Sequence, residues 1–89
     1  MRPSNLQAEV AVWLAHTRES RGVSQEALAS QIGKSQSFIA KVEKGSLRVT
    51  LLTFIDWVTA LGVPDQDVME FVRGLQASAS TASLWSGER

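Results

Sequence analysis

The sequence predicts an all-α domain of five short helices. Apolar residues recur at steps of three and four along most of the 89-residue chain, which is the spacing of a helix with one buried side. Glycines interrupt this pattern at positions where a helix can end in a left-handed conformation. No stretch alternates apolar and polar residues as a half-buried strand does, so we expect no sheet.

Helix 1 is predicted over residues 5–21, with residues 1–8 as an N-terminal extension that leads into it. Ser4 followed by Gln7 fits a capping box, and Gly22 supplies a left-handed stop. The apolar side of this helix consists of Leu6, Val10, Trp13 and Leu14.

Helices 2 and 3 are predicted to be short and joined by a tight turn. Ser24 can cap helix 2 and Gly33 ends it, while Ser35 can cap helix 3, which closes at Gly45. Their apolar residues are Leu28, Ala29 and Ile32, then Phe38, Ile39 and Val42. Two helices joined in this way form a helix-turn-helix unit.

Helices 4 and 5 complete the predicted domain. Thr50 can cap helix 4, which ends at Gly62, and Pro64 suits the first turn of helix 5. The apolar stripe of helix 5 consists of Val68, Phe71, Val72 and Leu75. From residue 76 to residue 89 the sequence is mostly small and polar without periodicity, which predicts a flexible C-terminal tail.

The composition excludes several kinds of chemistry. The chain has no cysteine and its one histidine is His16, which rules out thiolate catalysis and cysteine-ligated zinc and predicts no metal site. Asp65 and Asp67 could be paired acids, but capping of the positive end of helix 5 explains them. No nucleophile, base and oxyanion donor can be assembled, so we expect neither an enzyme nor a cofactor.

The charges are unevenly distributed although the net charge is zero. Residues 1–50 hold seven basic and four acidic side chains, and residues 51–89 hold two basic and five acidic ones. Because local potential steers a polyanion, this polarity is compatible with nucleic-acid binding. No run approaches the ~20 apolar residues of a membrane span, and the N-terminus lacks the apolar centre of a signal peptide. We therefore expect a cytoplasmic protein with no membrane contact.

Helix 3 has an outer face that suits base recognition. With Ile39 directed inward, Ser37, Lys41 and Lys44 lie about 140–200° away, and Gln36 projects from the helix start. Glutamine can pair with adenine, lysine with guanine and serine with several bases in the major groove. The alternative is an ordinary solvated helix surface. Phe38 lies at the boundary, where half-buried packing is favoured over contact with a thymine methyl group.

The motifs resemble the lambda repressor/Cro, or XRE, family of helix-turn-helix regulators. The resemblance rests on residues 22–29 (GVSQEALA), 32–39 (IGKSQSFI), 42–45 (VEKG) and 60–63 (ALGV). Its anchors at the family's spacings are Arg18, Gln25, Ala29, Glu43 and Gly45. It covers about residues 9–75, which we take as the DNA-binding domain, and it implies a five-helix lambda repressor-like fold.

The resemblance also implies roles for individual residues. The residues expected to contact bases are Gln36, Ser37 and Lys41. Those expected to contact the DNA backbone are Gln25, Lys44 and Arg48, and Gln25 is also expected to brace Gln36, the first residue of helix 3. Ser35 is added to the backbone contacts because exposed N–H groups at the start of helix 3 could bind phosphate. Arg18 and Glu43 are expected to form a structural ion pair that ties helix 1 to helix 3. The family often has more arginine in the recognition helix and the loop that follows it, whereas this chain has the apolar residues Leu47, Val49 and Leu51. Its non-specific affinity for DNA should therefore be modest.

Surplus apolar residues on helices 4 and 5 predict a homodimer. Five short helices cannot hide all of them, and such a surplus marks an interface. The predicted interface runs through helix 5 with the edges of helix 4 and comprises Trp57, Met69, Val72 and Leu75.

The function expected from these patterns is sequence-specific regulation of transcription. We expect a repressor that occupies double-stranded DNA at an inverted repeat as a homodimer, without a cofactor. The alternative is an antitoxin or phage-type regulator that acts chiefly by binding another protein. The neutral net charge favours this alternative, and so does Trp85 in the predicted tail, which could bind a protein partner.

Overall fold

The computed structural model describes the backbone of residues 5–86 and the side chains of residues 6–79. Over this range it contains five α-helices and no strand. The helices are α1 (Asn5–Glu19), α2 (Gln25–Ile32), α3 (Gln36–Glu43), α4 (Leu51–Leu61) and α5 (Asp65–Ser86). The all-α, five-helix fold predicted from the sequence is therefore confirmed.

Local capping fixes where the middle helices begin and end. The N-caps of α2, α3 and α4 are Ser24, Ser35 and Thr50. Each hydroxyl accepts a hydrogen bond of 3.0–3.1 Å from the backbone N–H three residues later. Gly33 (φ 71°) ends α2 and Gly62 (φ 68°) ends α4, both in the left-handed conformation that glycine adopts without strain.

A small core joins the first four helices. Its buried members are Leu14, Leu28, Ala29, Ile39, Val42 and Trp57. Helices of eight residues, such as α2 and α3, are marginal on their own in water. Their stability in this fold therefore comes from packing against α1 and α4.

Trp57 lies at the centre of this core, so its prediction as a dimer-interface residue is wrong. Its side chain is 0% exposed, and its Nε1 donates a hydrogen bond to the backbone oxygen of Leu14 at 3.1 Å. Ile55 of the same helix is 47% exposed. Helix α4 is apolar on nearly every side, so the pattern gives no unique inner face. The indole takes the inner position because a carbonyl partner satisfies its N–H there.

Helix α5 is longer than predicted. The sequence suggested that regular structure stops near residue 76, but the helix continues to Ser86. This part of the chain is rich in alanine, the best helix former, and contains no proline, so nothing in it ends a helix. The side chain of Trp85, residues 1–4 and residues 87–89 lie outside the described part, and so does the predicted role of Trp85 in binding a partner.

Three aromatic rings attach α5 to the rest of the fold. The rings of Trp13 and Phe71 are stacked with centroids 4.2 Å apart and planes 2° apart. Phe54 of α4 stacks on the same Trp13 ring at 5.8 Å. Stacked pairs of this kind stabilise beyond their buried area, so they fix the start of α5 against α1 and α4. Across the described residues, no helix is long and apolar enough to cross a membrane.

Candidate nucleic-acid interface

Helix α3 has a buried side and a free side. Ile39 and Val42 are 0% exposed and anchor the helix in the core. The side chains of Ser37, Lys41 and Lys44 on the opposite side are exposed, and so is that of Gln36 at the helix start. The hydroxyl, amide and ammonium groups predicted to read bases are therefore all open to solvent, on a helix narrow enough for a major groove.

A chain of hydrogen bonds runs from the protein interior to the start of α3. Arg18 Nε donates to Glu43 Oε2 at 2.6 Å, so the predicted pair of α1 and α3 is in contact. Gln25 Nε2 then donates to Glu43 Oε1 at 2.9 Å, and Gln36 Nε2 donates to Gln25 Oε1 at 2.6 Å. Three helices thereby fix the orientation of Gln36.

The inner end of this chain is nearly closed to water. The side chains of Arg18 and Glu43 are 10% and 9% exposed. A second Arg18 nitrogen, Nη1, donates to the backbone oxygen of Val23 at 2.7 Å. Hydrogen bonding to the Glu43 carboxylate raises the pKa of Arg18 above its ordinary value, although burial opposes the shift. The guanidinium is therefore a permanent charge that orients Glu43.

Gln7 holds the other end of α3, a contact that the sequence analysis did not predict. Its Nε2 donates to the backbone oxygen of Gly45 at 2.6 Å, just beyond the C-terminus of the helix. The two residues are 38 positions apart, and a single glutamine at the start of a helix carries no signal for such a partner. The interface helix is thus bonded to α2 at its start and to α1 at its C-terminal end.

The predicted DNA-backbone residues surround α3. Lys44 is the exposed C-cap of the helix, and Arg48 is exposed on the connector to α4. Ser35 accepts the N–H of Phe38 as N-cap, which leaves its hydroxyl proton available to an acceptor. Gln25 is half-buried and uses one of its two amide hydrogens on Glu43. These four residues lie around the same helix, and within the described part of the chain no hydrogen bond joins one of them to another.

Lys34, in the turn between α2 and α3, has a defined position. Its Nζ lies over the ring of Phe38, 5.1 Å from the ring centroid. Phe38 is half-buried and packs on the core, as its angular position on helix 3 predicted for a boundary residue. This pair was not singled out from the sequence, because the two residues lie in different elements and pair only once the turn has folded.

Several apolar side chains remain exposed away from α3. Leu51, Leu52 and Ile55 of α4 are 73%, 76% and 47% exposed. Met69 of α5 is also 47% exposed, whereas the other predicted interface residues, Val72 and Leu75, are half-buried. The exposed residues of α4 are adjacent at helical spacing, so they form one patch, which we call the α4 patch (Leu51, Leu52 and Ile55).

The residues considered for acid–base or metal chemistry are scattered. His16 and Asp67 line an open groove of about 570 Å³ between α1 and the start of α5, while Asp65 lies outside its lining. Among the described residues, no cluster of three or more histidine, cysteine, aspartate or glutamate side chains could hold a metal ion.

Comparison with known proteins identifies the family. A family model described as helix-turn-helix matches residues 14–68, from the core of α1 to the first turn of α5. The chain belongs to this XRE-type helix-turn-helix family. It is therefore a DNA-binding transcriptional regulator and not an enzyme. No protein of curated function matches it in sequence.

Solved structures of two other regulators have a similar fold. A mutant of the restriction-modification controller protein C.Esp1396I superposes with a TM-score of 0.68 at 24% identity, over 81% of this chain and 92% of that one. The clp gene regulator ClgR from Corynebacterium glutamicum superposes with a TM-score of 0.68 at 22% identity, over 94% of this chain and 96% of that one. At these identities the likeness supports the fold alone.

Proposed function

We propose that this helix-turn-helix regulator represses transcription by binding an inverted repeat in promoter DNA as a homodimer. The observation that carries the proposal is the exposed polar face of α3, whose leading residue, Gln36, is oriented by a hydrogen bond to Gln25, which is itself bonded to Glu43. A base-reading side chain that is already ordered loses less conformational entropy on binding. Acting on promoter DNA, the protein would work in the cytoplasm.

Gln36, Ser37 and Lys41 are the proposed base contacts. Gln36 uses one amide hydrogen on Gln25, which leaves a second N–H and Oε1. This donor and acceptor match N7 and the N6 amino group of adenine, the pairing that glutamine makes in a major groove. Lys41 lies about one turn after Ser37 on the outer face of α3, where its ammonium can donate to guanine O6 or N7.

Gln25, Ser35, Lys44 and Arg48 are the proposed contacts to the DNA backbone. Lys44 and Arg48 are exposed cations just after the recognition helix. Ser35 and Gln25 stand at the starts of α3 and α2, where backbone N–H groups and the positive helix end favour a phosphate. Such contacts set the register of the protein without selecting bases.

The proposed dimer interface combines α5 with the α4 patch. A single module of this size buries too little DNA surface for tight binding, so pairing about a two-fold axis is expected. Met69, Val72 and Leu75 remain the α5 part, and the α4 patch takes the place of Trp57. The patch begins directly after the connector that carries Arg48, so a contact there would bring both recognition helices near the axis. Their half-sites would lie about 34 Å apart, one turn of DNA.

Selection from a random DNA pool tests the proposal directly. The purified protein should enrich one short inverted repeat, with half-sites separated by about one helical turn. Enrichment of a single half-site would contradict the homodimer, and a pool without any preferred sequence would contradict specific recognition. A promoter carrying the selected site should then be transcribed less in the presence of the protein. Increased transcription would make it an activator.

A second candidate function is binding of another protein, as in an antitoxin or phage-type regulator. The exposed α4 patch and the net charge of zero favour it. Salt dependence separates the two activities, because DNA affinity carried by phosphate contacts weakens steeply between about 50 and 200 mM salt. Association through the apolar patch should change little over that range.

A further inference from the structure

Lys34 is held at the edge of the recognition helix by an aromatic ring. Its ammonium lies 5.1 Å from the centroid of Phe38, within the ~6 Å over which a ring face attracts a cation. Lys34 is exposed, so its charge is available to a partner, while the half-buried ring is itself fixed by the core. An otherwise flexible side chain is thereby kept beside the first turn of α3.

The two flanks of α3 carry different groups. Measured from Ile39 at 100° per residue, Gln36 and Lys44 lie at about +60° and +140°. Phe38 and Lys41 lie on the other flank, at about −100° and −160°. Gln25 belongs to the positive flank because it is bonded to Gln36.

A helix in the major groove lies between the sugar-phosphate backbones of the two DNA strands, with one backbone along each flank of the helix. Two of the proposed backbone contacts, Gln25 and Lys44, belong to the positive flank. Both would therefore face the backbone of the same DNA strand. In this placement the backbone of the other DNA strand would run past Phe38 and the Lys34 ammonium over its ring. We infer that Lys34 binds a phosphate of this second strand and that Phe38 positions it. The inference rests on the proposed seating of α3 in the groove.

The dependence of DNA affinity on salt tests the contact. Each phosphate contact contributes about 0.9 to the slope of log affinity against log salt, so Lys34→Ala should reduce the slope by about 1.8 for a dimer. Lys34→Arg should retain the slope of the parent protein. Arg73→Ala removes an equal charge from the exposed surface of α5 and should leave the slope unchanged. An unchanged slope for Lys34→Ala would overturn the inference.

Lys44→Ala separates failure of this inference from failure of the proposed seating. If α3 lies in the groove, Lys44→Ala lowers the slope by the same ~1.8. Loss of slope in Lys44→Ala alone would reject Lys34 and leave the seating intact. No loss in either variant would reject both, because neither flank of α3 would then face phosphate.

A double-mutant cycle tests the positioning by Phe38. Phe38→Leu keeps an apolar side chain on the core but removes the ring face, so affinity should fall about two- to fivefold per site. If the ring acts through Lys34, the same substitution in a Lys34→Ala background should have almost no further effect. Additive losses would overturn the positioning role. Circular dichroism at the titration temperature verifies that each variant is folded.

Discussion

Gln36 Nε2 donates to Gln25 Oε1 at 2.6 Å, and this hydrogen bond joins the first residue of α3 to the first residue of α2. Gln25 is in turn held by Glu43, whose carboxylate is bonded to Arg18. The conformation of an exposed side chain is thus set by a nearly buried charge. This linkage makes the recognition surface sensitive to residues that never reach DNA.

Substitution of Gln25 by alanine should weaken DNA binding while the fold persists. Gln36 would lose its partner, and ordering it anew on DNA costs about 0.5–1.5 kcal/mol per site. The proposed phosphate contact of Gln25 would also be lost. We expect a lower affinity and a weaker preference for adenine at the position that Gln36 reads, measured by titration with the selected operator and its single-base variants.

Gln31→Ala is the matched control for this substitution. Gln31 is an exposed glutamine on the same helix, and its side chain makes no hydrogen bond to another side chain of the described residues. Its replacement removes the same atoms from α2 without touching the chain of bonds, so binding should equal that of the parent. A Gln25→Ala protein with the DNA affinity and base selectivity of the parent would show that the hydrogen bond between Gln36 and Gln25 has no part in recognition.

Arg18→Ala should strongly destabilise the fold. The side chain of Glu43 is 9% exposed, and removal of its cation leaves a carboxylate that is poorly solvated. Breaking a buried pair by removing one partner costs about 3–5 kcal/mol, and the residual exposure here points to the lower end, about 3 kcal/mol. Urea denaturation followed by circular dichroism measures the change in the free energy of unfolding.

The double variant Arg18→Ala/Glu43→Ala separates the loss of the ion pair from the cost of leaving the Glu43 carboxylate nearly buried and unpaired. Because the second substitution removes the unpaired carboxylate, the double variant should be destabilised by less than the sum of the single variants. Strict additivity of the two losses would contradict direct coupling between the residues, and so would a cost of Arg18→Ala below about 1 kcal/mol, the range of a solvent-exposed pair.

The parts of the fold that the sequence predicts are those set by short-range chemistry. Ser24 and Ser35 cap α2 and α3 where a hydroxyl precedes a helical pattern. Gly33 ends α2 because the turn needs a positive φ. The inner and outer sides of α3 also follow from its spacing, since its two buried residues lie on one side of a short polar helix.

The parts that could not be predicted depend on competition between distant groups. In α4, which is apolar nearly all round, the choice of Trp57 over Ile55 as the inner residue depends on the carbonyl of Leu14. Gln7 finds Gly45 only after α1 and α3 have packed together. The exposed residues of the candidate site were thus predictable from spacing, and the pairs Arg18–Glu43 and Gln25–Gln36 from the family resemblance, whereas the contact of Gln7 with Gly45 was not.

Lys41→Ala and Arg48→Ala should differ in kind. Lys41 is a proposed base contact, so its loss should relax selectivity at one operator position by about 1–3 kcal/mol. Arg48 is a proposed phosphate contact, so its loss should weaken binding to every sequence alike and lower the salt slope. Competition titrations with operators altered at single positions measure both effects. Equal affinity of parent and both variants for all DNA would contradict the assignment of this face to DNA.

Leu52→Asp should dissociate the proposed homodimer. Leu52 is 76% exposed, so an aspartate there costs the monomer little, but it would put a charge into the apolar contact between two copies. We expect sedimentation to change from two chains to one, and operator affinity to fall because each protomer would bind a single half-site. Analytical ultracentrifugation and titration with whole and half operators measure the two effects.

Val12→Asp and Met69→Asp show which surface forms the dimer. Val12 is 68% exposed on α1, outside the proposed interface, so its replacement introduces the same charge at a similar exposure and should leave the dimer intact. Met69, 47% exposed on α5, belongs to the interface and should behave like Leu52. Dissociation by Met69→Asp alone would assign the contact to α5 without the α4 patch. A dimer that persists in both Leu52→Asp and Met69→Asp would mean that the two copies meet elsewhere, and the exposed leucines of α4 would then be free to bind a different protein.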